Sequence, residues 1–306
     1  MIQLDFLIVG APKCGTTAMH AFLRGHPEIY LPERKELHYY GSDLNDLASQ
    51  LTTEEHAALL QRADAEQCVG ETCIWSLYST RAASEIRQEH PDAKIVIMLR
   101  DPTEMMYALH SEYLYQQMEN VTDFRKALQL ESARRRGQQI PRTATPQKLF
   151  FYRDIVKYAE QVERYLKCFP ASQVHVILFD DLRQDLPGVY QRLLDFLNVD
   201  PNYRPEFGLI NPNKRVRSLQ VRRILKQRPP WARTLARSLI PVPGLRQRVR
   251  DSISRWNVSY APRLPLAESL HQELVAELTP DIERLSQLLG RDLGAWLHSS
   301  RHCRVA

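Results

Sequence analysis

The segment from Asp5 to Gly25 constrains the fold more than any other. A short apolar run, Asp5-Phe-Leu-Ile-Val-Gly10, leads into Ala11-Pro12-Lys13-Cys14-Gly15-Thr16-Thr17 and then into a helical pattern, Ala18–Arg24, closed by Gly25. That order reads as strand, tight turn, helix. The glycines stand in the spacing G-x-x-x-x-G, and such a turn at a helix N-terminus aims several backbone N–H groups at one anion. A nucleoside triphosphate loop ends in G-K-[ST], whereas here Thr16 follows the glycine and the lysine, Lys13, lies inside the loop. Its ammonium therefore meets the anion from another side. An ordinary strand-to-helix turn needs the glycines but not a lysine and two hydroxyls. A kinase or nucleotide hydrolase with a displaced lysine stays open at this point, and would require Mg²⁺ and a 5′-triphosphate.

The rest of the chain repeats the alternation. Buried strands are expected at Gln67–Thr72, Ala93–Leu99 and Gln173–Phe179. Helices are expected at Thr53–Arg62, Thr80–Glu89, Thr103–Met118, Asp123–Arg136, Arg153–Lys167 and Leu186–Asn198. Strands alternating with helices predict an α/β fold, a P-loop-like parallel sheet flanked by helices on both faces. Past the loop Pro201–Pro212, the prolines at 229, 230, 241, 243, 262 and 265 are expected to chop the chain into short helices, and Leu266–Leu289 is an amphipathic helix ending at Gly290. With no internal repeat, the reading is one domain over 1–306. It has an α/β core (1–200), a basic segment closing over the site (201–265) and a helical C-terminal elaboration packing on the core (266–298).

Composition narrows the class. The 306 residues are 43% hydrophobic and 25% charged, which suffices for a core and excludes a collagen-like or largely disordered chain. The longest apolar runs, Phe6–Val9 and Ile95–Leu99, are far short of the ~18 residues of a membrane span. Asp5 sits where a signal peptide would be apolar, so a cytoplasmic protein is expected. The five cysteines are scattered, with no C-x-x-C pair and no histidine at ligand spacing, so neither a disulfide framework nor a zinc site is expected. Charge is uneven: Lys214–Arg255 holds 13 Lys/Arg against one acid, Asp251. Such a segment faces something anionic or forms a solvated helical face. Apart from Trp231 and Trp256 it lacks aromatic interleaving, so nucleic acid is not expected, whereas its Arg and Leu/Ile/Val mixture over 222–255 suits peripheral contact with a bilayer. A non-enzymatic module binding membrane or polyanion through this segment is a further reading.

At Pro12-Lys13-Cys14-Gly15-Thr16-Thr17 the sequence resembles the sulfotransferases that use 3′-phosphoadenosine 5′-phosphosulfate (PAPS), in the branch of heparan sulfate and bacterial carbohydrate or small-molecule enzymes. The resemblance implies that the loop holds the 5′-phosphosulfate, with Lys13 on the 5′-phosphate and bridging oxygen and Cys14, Gly15, Thr16 and Thr17 around it. Arg100-Asp101-Pro102, after the strand Lys94–Leu99, resembles the family's 3′-phosphate motif. Arg100 is then the 3′-phosphate ligand, and its planar fork suits a bidentate contact. The family's serine eight residues on is Ala108 here, leaving Ser111 or His110 on the same helix as substitutes. Lys214 and Arg217 are candidates for the basic loop that closes on this phosphate.

Lys35-Glu36-Leu37-His38-Tyr39-Tyr40 resembles the K-E-x-H-F-F motif of the same branch, which implies Glu36 as catalytic base with His38 orienting the acceptor or sharing the proton transfer. In an extended segment the two would face one side. Gly70-Glu71-Thr72 resembles the G-E segment lining the acceptor cleft, which adds Glu71, and with Tyr39, Tyr40, Trp75, Tyr78, Tyr113 and Tyr115 makes a candidate aromatic wall. Phe179-Asp180-Asp181-Leu182 and the tail to Trp296 resemble segments common to bacterial members and are read as structural. The expected reaction moves a sulfuryl group from PAPS to a hydroxyl, less readily an amine, of a small-molecule, carbohydrate or lipid acceptor, and needs no metal.

Overall fold

The computed structural model describes residues 3–44, 51–61, 63, 67–141, 146–208, 214–217, 221, 224, 238, 242–260 and 265–298. Five parallel strands form the central sheet: β1 (Phe6–Gly10), β2 (Ile29–Tyr30), β3 (Cys68–Thr72), β4 (Lys94–Leu99) and β5 (Val174–Leu178), in the order β2-β3-β1-β4-β5. Every residue of β1 is buried, as it must be in a strand covered on both faces. Helices flank the sheet, beginning with α1 (Thr16–Arg24), α2 (Thr53–Leu60), α3 (Ala82–Glu89) and α4 (Pro102–Gln116). The expected α/β architecture is the observed one. From β1 the chain runs out to β2 and β3 on one side and returns to β4 on the other. The crevice at the carboxyl ends of β1 and β4 is therefore the switch point where such sheets bind ligands.

Element boundaries follow local chemistry. Asp101 caps α4 by accepting from the N–H groups of Thr103 (2.8 Å) and Glu104 (3.3 Å), with Pro102 in the first turn where its missing N–H costs nothing. The helix expected at Arg153–Lys167 is instead two, Tyr152–Ile155 and Tyr158–Cys168. The Gln161 amide donates to the carbonyls of Asp154 and Ile155, both at 3.1 Å, and so satisfies the break. Likewise the helix expected at Asp123–Arg136 is divided into Phe124–Gln129 and Glu131–Arg135.

Beneath these helices Arg134 and Glu119 form a buried ion pair at 2.7 Å, which also takes a hydrogen bond from the Tyr152 hydroxyl at 3.1 Å. The helix Glu268–Leu289 packs on Tyr158–Cys168 and on α4, and buries Leu270, Leu274, Leu278, Ile282 and Leu285.

The basic segment departs from expectation. Instead of short helices alone it holds an antiparallel ribbon, β6 (Lys214–Val216) with β7 (Val258–Tyr260), and one continuous helix, Pro243–Trp256. Pro243 opens that helix, a position where proline is tolerated. The ribbon lies against α4. Most of 222–241 falls outside the described residues. Among the described residues no helix is long and apolar enough to cross a membrane, and Cys14, Cys68, Cys73 and Cys168 form no disulfide.

Candidate active site

Of the residues singled out in the sequence, Lys13, Thr17, Glu36, His38 and Arg100 come together at the carboxyl ends of the strands. The loop after β1 leaves the sheet through Gly10, where a Cβ would lie 2.6 Å from Leu77 Cβ, and enters α1 through Gly15 at φ +89°. Gly15 offers no side-chain cap, so the orphan N–H groups of the first turn are left to the loop. Lys13, at φ +61°, points its ammonium to Glu112 on α4 at 3.0 Å. Cys14 turns inward: its side chain is fully buried, its thiol contacts the Pro12 carbonyl at 3.3 Å, and burial pushes its pKa up to about 12. Only its backbone belongs to the loop's concave side.

Arg100, at the end of β4, reaches the same loop. Its Nη1 lies 3.4 Å from the Lys13 carbonyl, Nε and Nη2 donate to Glu104 at 3.0 and 2.7 Å, and its guanidinium lies 4.6 Å from the Phe179 ring centroid. Phe179 also packs under Gly15, so this residue, read as structural, helps shape the loop after β1. Its neighbours Asp180 and Asp181 hold the tail, accepting from Trp296 Nε1 (2.9 Å) and the Arg291 guanidinium (2.8 Å).

On α4, Glu104, Ala108 and Glu112 are spaced four residues apart on one face, so two acids flank the position where the family's serine is replaced. Ser111 donates its hydroxyl to the Tyr107 carbonyl at 2.8 Å, one turn back in its own helix, and His110 is buried against the Val121 carbonyl at 2.8 Å. Neither side chain is aimed at the loop. Arg217, following β6, places its guanidinium 5.6 Å from the Trp256 ring. The side chain of Lys214 lies outside the described residues.

A second cluster is built around Glu36. The expected extended segment is not what forms: Glu36 and His38 both take left-handed backbone conformations, at φ +57° and +53°. The two side chains still come together, because each is anchored to the turn after β3. Glu36 Oε2 accepts from the Ile74 N–H at 3.0 Å, and His38 Nδ1 lies 3.5 Å from Cys73 Sγ. Lys35 joins this cluster to the loop, donating to Thr17 Oγ1 at 3.1 Å with its ammonium 3.7 Å from Glu36 Oε1.

Electrostatics set Glu36 apart. Its side chain is 26% exposed, yet the protein packed around the rest raises its pKa to about 7 against the opposing pull of Lys35 and the Ile74 N–H, while Glu71 adds to the rise. Burial lowers His38 to about 4, with Arg34 adding to the fall. His38 is therefore neutral at ordinary pH and Glu36 is poised between its two forms.

Glu71 is more deeply placed than expected. It is 1% exposed, accepts from or pairs with His56 Nε2 at 2.7 Å, and leaves its other oxygen buried without a partner. Tyr39 stacks on His56, with centroids 4.0 Å apart and planes 6° from parallel, and so belongs to this cluster. Much of the aromatic wall is core: Tyr40, Trp75 and Tyr113 are buried, and the Tyr40 and Tyr113 hydroxyls are bonded to Glu89 (3.2 Å) and the Leu149 carbonyl (3.1 Å).

Glu36, His38 and Cys73 each bring one ligand atom to within 4.8 Å of the others, a grouping that sequence spacing does not reveal. Burial pushes the Cys73 thiol up to about 12, and the Lys35 ammonium lies 3.7 Å from Glu36. His56, Cys73, Glu104 and Glu112 were missed in the sequence. Only the i, i+8 placement of the two acids on one face of α4, opposite a basic loop, carried a readable signal.

The family model described as the sulfotransferase domain matches residues 3–226 of this chain. Carbohydrate sulfotransferase 15 of Mus musculus is 26% identical over 253 residues, covering 64% of this chain and 44% of that protein. The bifunctional heparan sulfate N-deacetylase/N-sulfotransferase 3 of Homo sapiens is 27% identical over 220 residues, covering 65% of this chain and 22% of that protein. The chain thus spans less than half the length of these curated relatives. Among solved structures, the sulfotransferase from Alicyclobacillus acidocaldarius superposes with a TM-score of 0.71 at 26% identity, covering 97% of this chain and 100% of that one.

Proposed function

This chain belongs to the sulfotransferase family, and from that premise we propose that it moves a sulfuryl group from PAPS to a hydroxyl of a carbohydrate or other small acceptor, with Glu36 as base. The observation that carries the proposal is the Lys35 bridge. One ammonium touches Thr17 at the nucleotide loop and stands beside Glu36, so the base lies at the loop's edge rather than across the molecule. Family membership favours this reading over the kinase and non-enzymatic ones.

The site suits the donor. The uncapped first turn of α1 and the loop from Gly10 to Thr17 present N–H groups and hydroxyls to a phosphosulfate, and Lys13 supplies the positive charge that the departing oxygen needs. Arg100, its guanidinium 4.6 Å from the Phe179 ring centroid, is the group for the 3′-phosphate. Arg217 and Lys214, on the ribbon against α4, are candidates for closing over it.

In the proposed step Glu36 takes the proton of the acceptor hydroxyl as its oxygen attacks sulfur from the side opposite the phosphate. A new S–O bond forms and the bond from sulfur to the bridging oxygen breaks. The bridging oxygen keeps the electron pair and leaves on the bisphosphate, its charge met by Lys13 and the loop N–H groups. Positioning and electrostatic stabilisation supply the catalysis, by analogy with phosphoryl transfer. His38, neutral at working pH, orients the acceptor, while Glu71 and Tyr39 support this wall through His56.

The names of the two curated relatives favour a carbohydrate acceptor. The test is transfer of labelled sulfuryl from PAPS to a panel of glycans and small alcohols, comparing the native chain with Glu36→Gln. Labelled product from the native chain, reduced by about 10²–10⁴ in Glu36→Gln, supports the reading. Equal activity in the variant removes Glu36 from the role of base.

A further inference from the structure

The helix Pro243–Trp256 carries a feature the transfer reaction does not use. Val242, immediately before it, and Leu245, Val249, Ile253 and Trp256 follow one another at intervals of three, four, four and three residues, which puts all five on one stripe. Four of them are large apolar side chains left in solvent: Val242 is 57% exposed, Leu245 50%, Ile253 39% and Trp256 60%. Val249, between them, is half-buried. Arginines border the stripe, Arg246 and Arg250 on one side and Arg248 on the other, with Arg250 3.7 Å from the single acid, Asp251.

We propose that this helix lies on an anionic lipid surface, with Val242, Leu245, Ile253 and Trp256 entering the headgroup–acyl boundary and the bordering arginines meeting lipid phosphates and carboxylates. An exposed apolar stripe of this length calls for a cover. The charge of the sequence segment that contains it says which: within Lys214–Arg255 thirteen basic residues stand against one acid, so the cover is anionic as well as apolar. A polyanionic glycan meets the arginines but leaves Trp256 and Leu245 in water. A bilayer satisfies both, and tryptophan at one end of an apolar stripe suits the interface. The helix has 14 residues, about 21 Å at ~1.5 Å per residue, so it is fit to lie along the surface and too short to cross it.

Trp256 also links this surface to the rest of the chain. The Arg217 guanidinium lies 5.6 Å from its ring, and the Arg217 N–H donates to the Asn257 carbonyl at 2.9 Å. The lipid-facing helix and the ribbon against α4 are therefore joined at one corner.

The test uses the full chain without nucleotide or acceptor, so it stands apart from the transfer reaction. Co-sedimentation is measured with vesicles of equimolar phosphatidylserine and phosphatidylcholine and with vesicles of phosphatidylcholine alone. The native chain is expected to pellet with the anionic vesicles, less so at high salt, and to stay in solution with the neutral ones. Leu245→Glu with Ile253→Glu, on exposed positions, is expected to lower binding by about tenfold or more with an unchanged melting temperature, because each buried apolar side chain carries roughly that factor. Arg248→Glu should weaken binding to the anionic vesicles alone. The proposal is overturned if the native chain ignores anionic vesicles. It is also overturned if the double variant pellets as the native chain does, which leaves a purely ionic polyanion site. A lipid-free dimer that the double variant dissolves overturns it as well, since a second copy then covers the stripe.

Discussion

The Lys13 ammonium and the Glu112 carboxylate meet at 3.0 Å across the gap between the nucleotide loop and α4. One turn-pair back, Glu104 holds Arg100 at 2.7 Å. Lys13 and Arg100 are thus each matched by an acid from one helix face, and on the proposed reading a bound nucleotide competes with those acids. Removing Glu112 frees Lys13. Because the pair is partly exposed, its worth is about 0.2–1 kcal/mol. Glu112→Gln is expected to tighten binding of adenosine 3′,5′-bisphosphate by about two- to fivefold in a calorimetric titration, and weaker binding contradicts this arrangement.

On the proposed reading Lys13 meets the charge on the departing oxygen. Lys13→Ala is expected to lower kcat by about 10²–10³, the usual loss for one preorganised charge or donor at a developing oxyanion. The check is steady-state kinetics at saturating donor. A change confined to the KM for donor would assign Lys13 to binding alone.

The pH dependence follows from Glu36. Burial raises its carboxyl to about 7, and the form that accepts a proton is the carboxylate. The rate should therefore rise with pH through about 7 and fall about tenfold per unit below it. His38, lowered to about 4, contributes no limb in this range. A profile flat from pH 5 to 8 argues against Glu36 as base.

Stability has a separate centre in Arg134 and Glu119, both essentially without exposure. Burial alone would raise the Glu119 carboxyl, but Arg134 and the N–H groups of Val121 and Asn120 outweigh it and hold the pKa below the ordinary range. A depressed carboxyl stabilises the fold above its unfolded pKa of about 4.3 and loses that contribution as pH falls through the folded value. Glu119→Gln, which leaves Arg134 buried without its counter-charge, should cost about 3–5 kcal/mol in denaturant unfolding. A loss under 1 kcal/mol means that the Tyr152 and backbone partners suffice.

The sequence made the nucleotide end legible because its chemistry is local. Gly10, Lys13, Gly15 and Thr17 lie within one turn, and Arg100 follows the most apolar strand. The acceptor end was readable only as a motif. Glu36 and His38 meet at Cys73 through left-handed backbone rather than through strand alternation, and no periodicity encodes that. Glu112 and His56 were invisible for a related reason. Their partners, Lys13 and Glu71, lie 99 and 15 residues away and depend on how α4 and α2 pack. The β6–β7 ribbon escaped notice because three-residue strands show no alternation, and the prolines around them suggested broken helices instead.

If the loop and Arg100 hold PAPS, they also hold its desulfated product, adenosine 3′,5′-bisphosphate, and calorimetric titration reads that binding. The native chain, Lys13→Ala and Arg100→Ala are each titrated with adenosine 3′,5′-bisphosphate and with ATP plus Mg²⁺. The bisphosphate is expected to bind tightly without metal, and more weakly in both variants. Binding of Mg-ATP alone, or bisphosphate binding indifferent to both substitutions, would contradict it.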